Sequence, residues 1–199
     1  MNKGQLLADA HKLKEALNEL PEPLARPCLI VISGLPGTGK SYFSRTLAAR
    51  WPCLIVESDA LRKILFPVPS YNARESQRLF QALHLLTEEF LSKGIPVLLD
   101  ATNLVEYHRE HLYRIADRLG LKLIIVRVEA PAELVRERLQ RRAEDLDHQD
   151  RSDAGWAIYL RMKLRMKLKE QQIRRHHFAV NTARDITPVI NKIIRELKR

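Results

Sequence analysis

The chain reads as an α/β protein, a three-layer α/β/α sandwich built on a mostly parallel five-stranded sheet, and three observations predict it. Short apolar runs rich in β-branched residues begin at Cys28 and alternate with segments of helical periodicity, the pattern of strands joined by crossover helices rather than hairpins. The first of these runs leads directly into a glycine-rich loop and then a helix-like segment. The length of 199 residues, with 45% hydrophobic and 29% charged residues, suits one compact globular domain with a core of its own.

Taken in order, residues 5 to 20 place Leu6, Ala10, Leu13, Leu17 and Leu20 on one face of an amphipathic helix. The proline-rich 21–27 (PEPLARP) then breaks the helix, because proline lacks a donor and restricts the residue before it. Residues 1–27 are therefore expected to stand as a helix and linker ahead of a main domain at 28–199. Strands are expected at 28–33, 53–57, 96–100, 121–128 and 177–181, with the first of them central. Helices are expected near 39–50, 59–65, 73–93, 105–119, 131–143, 154–170 and 187–198. The stretch 160–169 (LRMKLRMKLK) alternates apolar and basic residues, as strands do, but its residue types favour a helix whose long basic stems lie along apolar surface.

The formal net charge is +10, from 34 Lys and Arg against 24 Asp and Glu, so the field of the whole protein attracts polyanions; nucleotides and nucleic acid are natural partners, and simple solubility explains the charge equally well. Cys28 and Cys53 each adjoin an apolar run and make neither a disulfide framework nor a zinc site. Without a signal-like or membrane-spanning run, a cytoplasmic protein is expected. His176 and His177 lack a third ligand at metal spacing, while Trp51, Trp156 and Tyr159 read as packing residues rather than base-stacking platforms.

Gly34-Leu35-Pro36-Gly37-Thr38-Gly39-Lys40-Ser41 matches the eight-position phosphate-binding loop, and it has the strand before and the helix after that the motif requires. Glycines let successive N–H groups converge on one anion, helped by the positive end of the helix. Lys40 is expected to reach the β- and γ-phosphates of ATP, Ser41 to ligate Mg²⁺, and Tyr42 to complete the nucleotide-binding stretch. The loop alone does not separate a kinase from a switch or a motor.

ISGLPGTGKS, ESDALRKIL, PVLLDATNL and ELVRERLQRR together resemble the P-loop kinases that include 5′-polynucleotide kinases, zeta-type toxins, gluconate kinases and chloramphenicol phosphotransferases, over residues 28 to 182. The resemblance implies the P-loop nucleoside triphosphate hydrolase/kinase type of fold and transfer of the ATP γ-phosphoryl group to a hydroxyl of a small molecule or a polynucleotide 5′ end. It further implies Asp59 as the base that receives the acceptor proton, Arg62 as an acceptor clamp, and Asp100 as the acidic residue near Mg²⁺. Among Arg136, Arg138, Arg141 and Arg142 it implies a lid arginine, with Arg138 and Arg142 sharing one helix face, and a lid near 136–153.

Other readings of these residues stay open at this point. Ser58 or Asp59 would serve equally well as a helix cap, and some of the arginines as a solvated helix end. Asn103 is the residue type of a turn, and Thr102 and Asn103 are candidates for acceptor contact. Residues 181–184 (NTAR) are candidates to border the adenine. A regulatory ATPase or switch, or a basic nucleic-acid-binding protein regulated by ATP, are the alternative functions.

Overall fold

The computed structural model describes residues 2–17, 19–144, 155–168 and 173–199. Among them five strands form one sheet: β1 (Cys28–Ser33), β2 (Leu54–Glu57), β3 (Val97–Asp100), β4 (Lys122–Glu129) and β5 (Phe178–Asn181). The helices are α1 (Lys3–Glu15), α2 (Lys40–Ala48), α3 (Ser58–Leu65), α4 (Ala73–Ser92), α5 (Glu106–Arg118), α6 (Ala132–Glu144), α7 (Trp156–Leu168) and α8 (Thr187–Leu197). The strand order is β2-β3-β1-β4-β5 and every pairing is parallel, which puts β1 in the centre as expected.

Both faces of β1 are buried along its whole length, as a central parallel strand covered by helices on both sides demands. Its alternate residues feed two cores. Ile30 and Ile32 join Leu98, Ile124, Val126 and the α2 and α8 residues Phe43, Leu47, Ile190 and Ile193 on one face. Leu29 and Val31 join Val97, Leu99, Val56 and the α4 residues Leu79, Leu83 and Leu86 on the other.

Helix α1 is not separate from this domain. Its Ala10 and Leu13 are buried in the second of these cores, and Arg78 of α4 grips the buried Asp9 carboxylate with two bonds of 2.5 and 2.6 Å. The helix ends at Glu15 rather than Leu20, whose side chain is exposed. Cys28 is buried and Cys53 half-buried, both thiols free; burial pushes them up to about 11 and about 12, which suits packing rather than reactivity. The alternating stretch from Leu160 is helical through Leu168, and the rest of it lies outside the described residues, as does 145–153 of the expected lid.

Candidate active site

Register decides which side chains meet at the carboxyl ends of the strands. Ile32 of β1 pairs with Asp100 of β3, and Asp100 pairs with Glu57 of β2, so these three residues share one row and one face. That face carries α2, and the phosphate loop connects β1 to α2. Asp100 is thereby aimed at Lys40 and Ser41, and the chain leaving Glu57 enters α3 with Asp59 in its first turn.

The loop is held from three sides. Gly34 N–H donates to the Thr102 carbonyl at 3.0 Å, and Thr38 Oγ1 donates to Leu35 O at 2.8 Å. The buried Thr182 hydroxyl, beyond β5, donates to Thr38 O at 2.6 Å and accepts from Arg138 Nη1 at 2.8 Å, while Arg138 Nη2 reaches Thr182 O at 3.1 Å. Gly39, at the start of α2, has φ of 89°, a conformation that favours glycine. Gly34 meets a different constraint: a Cβ there would lie 2.4 Å from the Val128 carbonyl oxygen.

A cleft of about 490 Å³ opens beside this loop. Of the residues singled out from sequence, Pro36, Gly37, Gly39, Lys40, Ser41, Tyr42, Asp59, Asp100, Thr102, Arg138 and Arg142 line it, while Gly34, Leu35 and Thr38 form the loop behind. Lys40 Nζ donates to Leu35 O at 3.2 Å, within its own loop. Ser58 and Arg141, named above as a possible helix cap and a lid candidate, line it too; Arg45 and Glu57 also do so and were missed. Their signals were present: Arg45 lies one helical turn after Ser41, and Glu57 ends the strand beside that of Asp100.

Asp100 is 3% exposed. Burial raises its pKa, and the Asp59 carboxylate adds to the rise; Lys40 and the Ser41 and Ser44 hydroxyls oppose it. Its Oδ2 and the Ser44 hydroxyl nevertheless lack a partner at hydrogen-bonding geometry. A buried carboxylate oxygen without a donor, beside a helix-start serine, makes a set of hard oxygen ligands that fits Mg²⁺ or its bound water. Among the described residues no group of three or more His, Cys, Asp or Glu forms a metal site.

Asp59 is half-buried in the first turn of α3. The residue preceding that helix is Glu57, which makes no side-chain cap bond, so neither Ser58 nor Asp59 occupies the cap position. Arg62 is placed differently from an acceptor clamp. Its side chain is buried, bonded to Glu75 at 2.8 Å and stacked 4.8 Å over Tyr71, and it is not among the residues that line the cleft. Glu75, 13 residues downstream, gave no signal in sequence.

Asn103 is buried with φ of 41°, and its amide donates to Ile32 O at 2.8 Å while its own carbonyl accepts from Ser33 Oγ at 3.0 Å and from Arg109. It fastens the turn after β3 to β1 and does not face the cleft. Arg136 stacks over Trp156 at 5.9 Å, and Trp156 stacks on the buried Tyr159 at 4.9 Å, so these aromatics pack α7 against α6.

The family model described as AAA domain matches residues 29–169, well over half of the chain and including the whole phosphate loop. The chain belongs to this AAA domain family. No curated protein matches it. Among solved structures, this AAA-family chain is similar to Kti12 of Chaetomium thermophilum in complex with ADP-AlF3, with 23% identity, coverage of 83% of this chain and 97% of that one, and a TM-score of 0.64. A putative kinase from Chloroflexus aurantiacus is 20% identical, with 85% and 97% covered and a TM-score of 0.64. A gluconokinase from Sinorhizobium meliloti is 21% identical, with 87% and 93% covered and a TM-score of 0.60. These likenesses show the P-loop fold. No helix among the described residues is long and apolar enough to cross a membrane.

Proposed function

We propose that the protein is an ATP-dependent kinase that transfers the γ-phosphoryl group to a hydroxyl of a small molecule. The observation that carries this reading is Asp59: a carboxylate, not used as a helix cap, that lines the same cleft as the phosphate loop and Asp100. Two carboxylates in the same cleft as a phosphate cradle allow a division of labour, one beside the metal and one beside an acceptor, that a switch has no need of. The gluconokinase likeness, and a further one to a Mycobacterium tuberculosis APS kinase in complex with AMPPNP and APS at 18% identity, support the class without naming the acceptor.

In this reading the backbone N–H groups of Gly34 to Ser41 hold the phosphates and Lys40 leaves the Leu35 carbonyl for the terminal ones. Ser41 and Asp100 would hold Mg²⁺, which neutralises charge between the β- and γ-phosphates. Asp59 accepts the acceptor's hydroxyl proton as its oxygen bonds to the γ-phosphorus and the bond to the β-phosphate oxygen breaks, leaving ADP. Arg138 or Arg142 stabilises the charge spreading over the transferred group. A polynucleotide 5′ end is the second acceptor class, favoured by the net charge of +10. The test is transfer of label from γ-labelled ATP to sugars, nucleosides and 5′-hydroxyl oligonucleotides. ATP hydrolysis with no labelled acceptor from any class would favour a regulatory ATPase instead.

A further inference from the structure

Among the described residues five cationic side chains line the cleft, Lys40, Arg45, Arg138, Arg141 and Arg142, and their commitments differ. Arg138 is bonded to Thr182, Arg141 is paired with Glu137 at 2.6 Å, Lys40 lies on the Leu35 carbonyl, and Arg142 has an interaction of its own. Arg45 lines the cleft with its side chain exposed, and its guanidinium has no hydrogen-bond or ion-pair partner among the described residues. It stands four residues beyond Ser41 on α2, hence about 6 Å farther from the phosphate loop along the helix. The β2–α3 junction, Glu57 to Asp59, lines the same cleft, and the kinase reading places the acceptor hydroxyl there.

We propose that Arg45 is the anion-binding residue of the acceptor subsite, and that the physiological acceptor is an anionic hydroxyl compound whose phosphate or carboxylate group is set apart from the hydroxyl that reacts. The proposal rests on the kinase reading above and adds the chemical class of its substrate. A planar guanidinium with five donors grips phosphate or carboxylate with paired hydrogen bonds, and an unpaired one at a cleft wall gives up no existing contact to do so. The carboxylates that line the same cleft give the residue a second effect. Glu57 and Asp59 repel an anion that lacks a cation to meet it, so Arg45 fixes which end of the acceptor enters first and leaves the hydroxyl end to Asp59.

The test compares wild type, Arg45→Ala and Arg45→Lys in transfer from γ-labelled ATP to matched pairs: D-gluconate against D-glucose, glycerol 2-phosphate against glycerol, and uridine 3′-monophosphate against uridine. The expected result is that, in at least one pair, wild type prefers the anionic member by about 10- to 100-fold in kcat/KM, the size of one charge-assisted interaction. Arg45→Ala abolishes that preference through KM, Arg45→Lys restores part of it, and ATP affinity does not change. The pair that responds distinguishes phosphate from carboxylate. A neutral member used as well as its anionic partner, a preference that survives in Arg45→Ala, or a loss of ATP affinity in that variant would overturn the proposal. If no pair is labelled, the kinase reading is what fails, and the subsite is judged by thermal melting of protein saturated with Mg²⁺ and AMPPNP. Stabilisation of wild type by inorganic phosphate that disappears in Arg45→Ala upholds the anion site, and an equal response of the two proteins rejects it.

Discussion

Replacing Glu75 by Gln tests what Arg62 does in this fold. The carboxylate accepts from Arg62 Nη1 at 2.8 Å through one oxygen, and from Ser70 N–H and Ser70 Oγ at 2.7 and 2.6 Å through the other. Burial alone would raise its pKa, yet the Ser70 and Arg62 bonds outweigh burial and hold the carboxyl down at about 2. Allowing for screening, that depression amounts to about 2 to 3 kcal/mol of stability at neutral pH. Because the folded pKa is the lower one, the contribution is complete above the ordinary carboxylate range and is lost as pH falls toward 2. Glu75→Gln should therefore lower Tm at pH 7 by about 5 to 10 °C for a chain of this length. Thermal unfolding at pH 7 and pH 3 is the assay, and the gap between the two proteins should narrow at pH 3, where the carboxyl takes up its proton in the unfolded chain while it stays mostly ionised in the folded one. Equal melting at pH 7, or a gap that does not change with pH, would refute the view of Arg62 and Glu75 as a buried latch between α3 and α4.

Two further outcomes follow from the loop. Gly34→Ala forces a Cβ to within 2.4 Å of the Val128 carbonyl, a backbone atom that cannot swing aside, so it should destabilise by about 1 to 3 kcal/mol and weaken nucleotide binding; unchanged melting would show that β1 and β4 have slack at their ends. Lys40→Ala should reduce ATP affinity at least about tenfold by calorimetry, the scale of a charge-assisted contact, while Tm without nucleotide stays near that of wild type; full affinity in a folded variant would remove Lys40 from the phosphate site.

Local signals reached far in this chain because its strands are short, apolar and punctuated. Val97 to Asp100 is a buried run that ends in a charge, so the sequence shows both the strand and the place where it meets solvent or ligand. The loop was equally legible, since each of its glycines and its lysine has a mechanical role. Contacts between elements distant in the chain were not. Thr182 joins the loop to Arg138 across 144 and 44 residues, and nothing in Asn181 to Arg184 announces it. Arg62 illustrates the opposite failure: its pattern with Asp59 suggested a clamp, but Glu75 from α4 occupies it. Helix α1 misled for a similar reason, because PEPLARP reads as a linker while Leu24 N–H in fact bonds to Gly94 O at 2.8 Å and brings α1 back over α4.

Asp59 is the residue that separates phosphoryl transfer to an acceptor, the proposed function of this cleft, from nucleotide binding alone. Asp59→Asn keeps the size and polarity of the side chain but cannot take up the acceptor proton. The direct measurement is single-turnover transfer from γ-labelled ATP to the best acceptor, at saturating nucleotide, by wild type and Asp59→Asn, with ATP affinity and melting recorded for both. Transfer should fall by about 10²-fold or more in Asp59→Asn, with ATP affinity and Tm unchanged. Transfer at the wild-type rate by a folded, ATP-binding Asp59→Asn protein would contradict the proposed function.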